Sequence, residues 1–126
     1  MNIEFSKLRS RKKKWREFMP HLNFKNIERN KVKQLCNDLT PQLAKEIECP
    51  EDWITFNHIE SQTFVQGIEN DEIVFVNIQW FPRTQEVQDK VASIIHEGVI
   101  GTGAKEVVII FNDLKKESYY EEGQHF

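Results

Sequence analysis

The sequence has little that covalent or metal chemistry could use to hold it together. Only two of its 126 residues are cysteine, Cys36 and Cys49, with no Cys-x-x-Cys pair and no histidine at ligand spacing. A disulfide scaffold and a zinc site both need more than this, so the expectation is two reduced thiols, no metal and no cofactor. No apolar run approaches the roughly 18 residues of a membrane span, so no membrane partner is expected. The basic start is not followed by an apolar segment of signal-peptide type, and the expected compartment is the cytoplasm.

Other residue types are well supplied. Hydrophobic residues make up 39% of the chain, with three Trp and nine Phe, enough for the packed core of one domain. The net charge of −3 is unevenly spread. Residues 1–18 carry seven basic side chains against two acidic ones, a net +5, and residues 19–126 carry ten against eighteen, a net −8. An acidic body argues against a nucleic-acid surface there, so any polyanion partner is expected only through residues 1–18.

That first segment has three readings. A block of like charge with little periodicity reads as a solvated, disordered tail, or as an arm for nucleic acid or a membrane surface. It also reads as a mis-assigned start. Trp15-Arg16-Glu17 can be encoded TGG-AGG-GAA, which contains a purine-rich ribosome-binding sequence one codon, Phe18, ahead of the Met19 codon. A chain begun at Met19 and relieved of it would expose Pro20 as a secondary amine, whereas in a chain begun at Met1 the same nitrogen is an amide.

From Met19 onward the pattern is regular. His21 to Lys25 alternates as a strand, with Leu22 and Phe24 on one face. Asn30 is expected to cap a helix whose apolar positions run from Val32 to Ile47 at helical spacing, with Pro41 inside it. Trp53 to Ile59 reads as a strand, and a turn follows near Gly67 and Asn70-Asp71. Ile73 to Phe81 is a strand stopped by Pro82. Thr84 caps a second helix that Gly98, Gly101 and Gly103 weaken and then end. Val107 to Phe111 is a continuous apolar strand.

The order β-α-β-β-α-β repeats itself. Leu22-Asn23-Phe24 parallels Val76-Asn77-Ile78, Arg29 parallels Arg83 at the same offset, and Thr55-Phe56-Asn57 parallels Ile110-Phe111-Asn112 after one extra residue. Right-handed crossovers make each unit's strands parallel. The expected class is α+β: two β-α-β repeats forming a four-stranded mixed sheet with both helices on one face. Val107 to Phe111, apolar throughout, then calls for cover on the other face as well, and a second copy of the chain is the simplest cover. Self-association is therefore expected.

Four motifs stand out: Met19-Pro20-His21-Leu22, the Trp80-Phe81-x-Arg83 turn, the Gln85-x-x-Gln88-Asp89 helix opening, and the ending Tyr119-Tyr120-x-x-Gly123-Gln124-His125-Phe126. In these residues the chain resembles the tautomerase superfamily, the fold of macrophage migration inhibitory factor and 4-oxalocrotonate tautomerase, and within it a bacterial family of unassigned function. The resemblance covers about residues 19–126. It implies a homotrimer with pockets at subunit edges, Pro20 as general base, and keto–enol isomerisation of small enolisable keto acids. It also implies an arginine at the start of a helix, Arg83 in the second repeat and Arg29 in the first, holding a substrate carboxylate. Where the migration-inhibitory-factor type carries a lysine after the first helix, this chain has Glu51-Asp52.

Tyr119 and Tyr120 are candidates for donating a hydroxyl to a substrate oxygen, or for packing the tail on a neighbouring subunit. His21, His58, His96 and His125 have no Ser, Cys or Asp partner at nucleophilic spacing. The alternative function is a non-catalytic oligomeric binding or scaffold protein of the same fold.

Overall fold

Alternation of apolar and polar residues at period two sets the sheet, because successive side chains on a strand point to opposite faces. The computed structural model describes residues 20–125. The expected basic extension, Met19 and Phe126 lie outside those residues. The main sheet has the order β2-β1-β5-β6, built from β1 (His21–Lys25), β2 (Thr55–Ile59), β5 (Ile73–Trp80) and β6 (Glu106–Asp113). β1 runs parallel to β2 and β5 parallel to β6, and the two units join antiparallel at β1 and β5. This is the expected pair of β-α-β repeats. Their register sets Asn23 directly opposite Asn77, so an internal twofold passes between these two residues.

One face of the sheet is covered by α1 (Arg29–Ile47) and α2 (Gln85–Gly101). Leu22 and Phe24 from β1 and Val74, Val76, Ile78 and Trp80 from β5 are buried against Leu35, Leu39, Leu43, Val91, Ile95 and Val99 from the helices. Losing a side chain as large as Phe24 from such a core costs about 3–5 kcal/mol.

Local details differ from the sequence expectation for identifiable reasons. α1 opens two residues early, with Glu28 at the N-cap rather than Asn30, and no side chain closes the cap. The helix passes through Pro41. Both Pro41 and Asn37, whose carbonyl loses its donor there, are exposed, so water can serve that carbonyl. It ends where Glu48 turns left-handed at φ 62° and the Cys49 N–H reaches the Ala44 carbonyl at 3.1 Å. β2 begins only at Thr55, because Glu51–Trp53 forms a short 3-10 turn that buries the Trp53 ring. Thr84 does cap α2, its hydroxyl accepting the Val87 N–H at 3.2 Å.

Gly98 does not weaken α2. A Cβ there would stand 2.9 Å from both terminal methyls of Leu39, so the missing side chain is what lets the two helices approach.

Each repeat also ends in a small hairpin: β3 (Phe64–Val65) with β4 (Ile68–Glu69), and β7 (Tyr120–Glu121) with β8 (Gln124–His125). Both turn on a pair of positive-φ residues, Gln66-Gly67 and Glu122-Gly123. Such pairs match the twist of a two-residue hairpin, and glycine takes the second place without strain.

The uncovered face differs most from expectation. It is not the apolar surface that Val107 to Phe111 suggested. Adjacent rows across it read Asn57, Asn23, Asn77, Ile110 and Thr55, His21, Gln79, Asn112. Asn57 donates to Asn23 Oδ1 at 3.1 Å, while the buried Oδ1 of Asn77 has no hydrogen-bond partner among the described residues. Only one end is apolar, where Phe75 adjoins Val108 and Ile110 is 44% exposed. β6 is half-buried rather than buried on both sides, because it lies at the sheet edge.

Candidate functional site

The β1–β2 ladder begins at Pro20, whose carbonyl accepts the Thr55 N–H at 3.2 Å. Pro20 itself is fully buried. Since His21 lies opposite Gln79, continuing the antiparallel register by one residue brings Pro20 level with Trp80, the last residue of β5. Trp80 is also opposite Asp113, the last residue of β6, and its carbonyl accepts the Leu114 N–H at 2.7 Å. The starts of β1 and β2 and the finishes of β5 and β6 therefore share one end of the sheet.

Beyond Trp80 the chain turns through Phe81 and Pro82 toward α2. Arg83 Nη1 donates to the Phe81 carbonyl, and the guanidinium carbon lies 5.4 Å from the Trp80 ring centre, within range of a cation–π attraction. The side chain is thereby folded back over the sheet end. Its charge reaches Cys49. Burial pushes the Cys49 thiol up to about 11, Arg83 opposes that rise, and Asp52 reinforces it. Cys49 is thus a protonated thiol at neutral pH, unsuited to act as a nucleophile.

On the open-face side of this end lies a chain of hydrogen bonds. His21 Nδ1 is 2.7 Å from Thr55 Oγ1, its register partner on β2. His21 Nε2 is 2.6 Å from the Tyr119 hydroxyl, and that hydroxyl donates to Glu121 Oε2 at 3.3 Å. The Phe81 ring meets Tyr119 edge-on at 5.4 Å, and the His21 and Tyr119 rings lie nearly parallel. Burial holds His21 below its ordinary value, so the imidazole is neutral near pH 7. Burial first, then the charge and hydrogen bond of Glu121, push Tyr119 up to about 12, so it remains a phenol. A guanidinium, a neutral imidazole and a phenol are thus brought to the end of the sheet that carries Pro20.

Of the residues singled out from sequence, Pro20, Arg83 and Tyr119 lie at this end of the sheet, Arg83 over the Trp80 ring and Tyr119 on the open-face side beside His21. Tyr120 does not join them. It is 61% exposed, with its ring edge against His125 at 5.6 Å. Arg29 is exposed at the start of α1. His21, Thr55 and Glu121 were not anticipated as site residues. His21 and Tyr119 lie 98 positions apart, and no local spacing announces such a pair. A cavity of about 360 Å3 lies at the opposite end, lined by Asn26, Glu28, Lys31, Asp71 and neighbouring residues. Its charged rim is mixed in sign.

Strand order, helix placement and repeat together make this the tautomerase/macrophage migration inhibitory factor fold. A macrophage migration inhibitory factor-like protein from Entamoeba histolytica superposes with a TM-score of 0.68 at 14% identity, over 86% of this chain and 99% of that one. A fused 4-oxalocrotonate tautomerase solved as an asymmetric trimer gives 0.72 at 12% identity, over 83% and 94%. Residues 19–125 match the family described as a domain of unknown function (DUF1904), and the chain belongs to that family. A DUF1904 domain from Sebaldella termitidis is 39% identical, with a TM-score of 0.81 over 86% of this chain and 100% of that one. No curated protein matches the chain. Among the described residues no helix is long and apolar enough to cross a membrane.

Proposed function

We propose that the protein, in a form that begins at Met19 and loses that methionine, is a keto–enol isomerase of small enolisable keto acids. The free amine of Pro20 takes a proton from the carbon beside the ketone and, as the resulting ammonium, delivers a proton to the enolate oxygen, so the base is regenerated as the enol forms. Arg83 holds the substrate carboxylate, a group its planar fork fits bidentately. The Tyr119 hydroxyl hydrogen-bonds the oxygen on which negative charge develops. An amine kept from water, as the fully buried Pro20 would be, has its pKa driven down toward ambient pH, where a general base works best.

The observation that carries this reading is the convergence of Pro20, Arg83 and Tyr119 on one sheet end from three distant parts of the chain. A start at Met19 is supported by two alignments. The family match begins there, and the whole Sebaldella chain corresponds to 86% of this one. Residues 1–18 are then upstream of the working protein.

The reading includes a homotrimer. The amide-lined open face, the orphaned Asn77 Oδ1 and the exposed Ile110 all support burial against further copies, as does the trimeric state of the fused 4-oxalocrotonate tautomerase. Tyr120, exposed on its hairpin, is assigned to packing on a neighbouring subunit. Light scattering should give three times the chain mass, and a monodisperse monomer would remove this part.

A second reading, a non-catalytic oligomeric binding protein, is favoured by one observation: Pro20 is fully buried. The deciding experiment is to prepare the Met19-start form, verify methionine removal by mass, and assay an arylpyruvate beside Pro20→Gly. A marked loss in Pro20→Gly supports the isomerase. Equal rates leave the binding protein.

A further inference from the structure

The reaction assigned above gives no task to His21, Thr55 or Glu121, yet these three form one continuous chain of hydrogen bonds with Tyr119. We propose that His21 and Glu121 are positioning residues that fix the Tyr119 hydroxyl as an aimed donor, with Glu121 occupying the place that a substrate's developing enolate oxygen takes over.

The assignment of protons follows from the acceptors. With the imidazole proton on Nε2, the Thr55 hydroxyl donates to Nδ1, Nε2–H donates to the Tyr119 oxygen, and the Tyr119 proton goes to Glu121. All three bonds then run in one direction. The other tautomer would turn the Tyr119 proton toward His21 and deny it to the carboxylate. A charged acceptor makes the stronger bond, which favours the first arrangement.

The lengths divide the work between the two ends. The 2.6 Å contact to His21 pins the phenol oxygen, with the Phe81 edge against the ring. The 3.3 Å contact to Glu121 is the loose link, the one exchanged at least cost. An enolate oxygen carries charge comparable to a carboxylate and can replace Glu121, whereas a neutral keto oxygen is a poorer acceptor. The aimed hydroxyl therefore discriminates the charged state from the ground state, which is the condition for accelerating a step rather than only binding. The bond donated by His21 polarises the phenol further. Position supports the role, since His21 directly follows Pro20 and is tied to Thr55 by the β1–β2 register.

The orientation of Tyr119 stands on these contacts alone. The oxygen that displaces Glu121 rests on the isomerase reading, so the test has two arms. In the full chain, 15N shifts of His21 at pH 7.5 should show the Nε2–H tautomer, and Tyr119→Phe should populate the Nδ1–H form. An Nδ1–H tautomer in the wild type, or shifts unmoved by Tyr119→Phe, overturns the proposal whatever the activity.

In the Met19-start form, His21→Leu should lower kcat about tenfold, a fraction of what a full oxyanion donor supplies, with KM within about twofold. His21→Gln, which keeps an N–H donor, should recover most of the loss. Pro20-dependent activity with an unchanged kcat in His21→Leu overturns the positioning role and leaves the isomerase standing. Activity that ignores Pro20 overturns the isomerase and leaves the relay to its tautomer.

Discussion

The two ends of the sheet are related by the internal twofold, and their hydrogen-bonded Asn, His and Tyr side chains are used differently. At the far end Asn26, in left-handed backbone at φ 63°, donates to the carbonyls of Asn70 and Ile73 at 2.8 and 2.7 Å. Asn70 Oδ1 in turn accepts the N–H groups of Glu72 and Ile73, and His58 Nε2 donates to the Ile27 carbonyl. These side chains are spent on main-chain atoms, while an exposed ion pair joins Lys105 to Glu72 at 2.8 Å. At the Pro20 end the place of Asn26 is taken by Trp80 and that of Arg29 by Arg83, and His21, Thr55, Tyr119 and Glu121 bond to one another. A side chain that satisfies backbone cannot leave without orphaning it. One that satisfies another side chain can exchange that partner for a ligand atom. The same backbone path thus yields a closed structural end and an exchangeable one.

If this contrast is right, substitutions at the two ends should separate activity from stability. The largest effect is expected from Arg83→Ala in the Met19-start form. Loss of a bidentate carboxylate anchor should lower kcat/KM about a hundredfold, close to 2.7 kcal/mol, while Arg29→Ala leaves it unchanged. Equal losses from both arginines, read in steady-state kinetics, would erase the distinction. Next comes Asn26→Ala, which orphans two carbonyls and places a Cβ-bearing residue without a helpful amide at positive φ. It should cost about 2 kcal/mol in urea unfolding. Activity at temperatures where the variant stays folded should be kept.

How far the sequence disclosed this depends on distance along the chain. The repeat was legible because Leu22-Asn23-Phe24 and Val76-Asn77-Ile78 carry the same alternation, and strand order follows once crossovers are right-handed. Pro20, Arg83 and Tyr119 were legible as individual residues at element boundaries. The polar open face was present in the alternation of β1, where His21, Asn23 and Lys25 share one side. It was hidden by β6, whose apolar run looked like a doubly buried strand and is in fact an edge. The His21–Tyr119 contact was not legible, since it depends on how the tail after β6 folds back across the sheet end. Nor was the use of Asn26, whose side chain reaches a turn more than forty residues away.

The twofold can also be tested between the helices. Gly98 and Ala44 occupy matching places in the two repeats, and a Cβ added at Gly98 would press against the Leu39 methyls at 2.9 Å. Gly98→Val should therefore overpack the α1–α2 contact at a cost of about 1–2 kcal/mol. A substitution that left the urea midpoint unchanged would mean that Leu39 moves aside freely and the close approach is incidental.

The smallest effects are in the pH dependence, and they report on the exchangeable end alone when read as differences between variants. His21 is held below 6.5 by burial, so between its folded and unfolded values the unfolded chain binds the extra proton. Its contribution to stability is then full above pH 6.5 and is lost as pH falls through the folded value. Tyr119 is raised from 10 to about 12, so the unfolded chain releases its proton first. That contribution is full below pH 10 and is lost as pH rises toward 12. Urea midpoints across pH should show His21→Gln flattening the acid limb and Tyr119→Phe the alkaline one. The chain has two tyrosines, so Tyr120→Phe leaves an ultraviolet titration that follows Tyr119 alone. In that background Glu121→Gln should bring Tyr119 down from about 12 yet leave it above 10, because burial is the leading cause of its shift and the Glu121 charge comes second. A fall all the way to 10 would mean that the carboxylate, and not the packing of Tyr119 at the sheet end, keeps the phenol protonated.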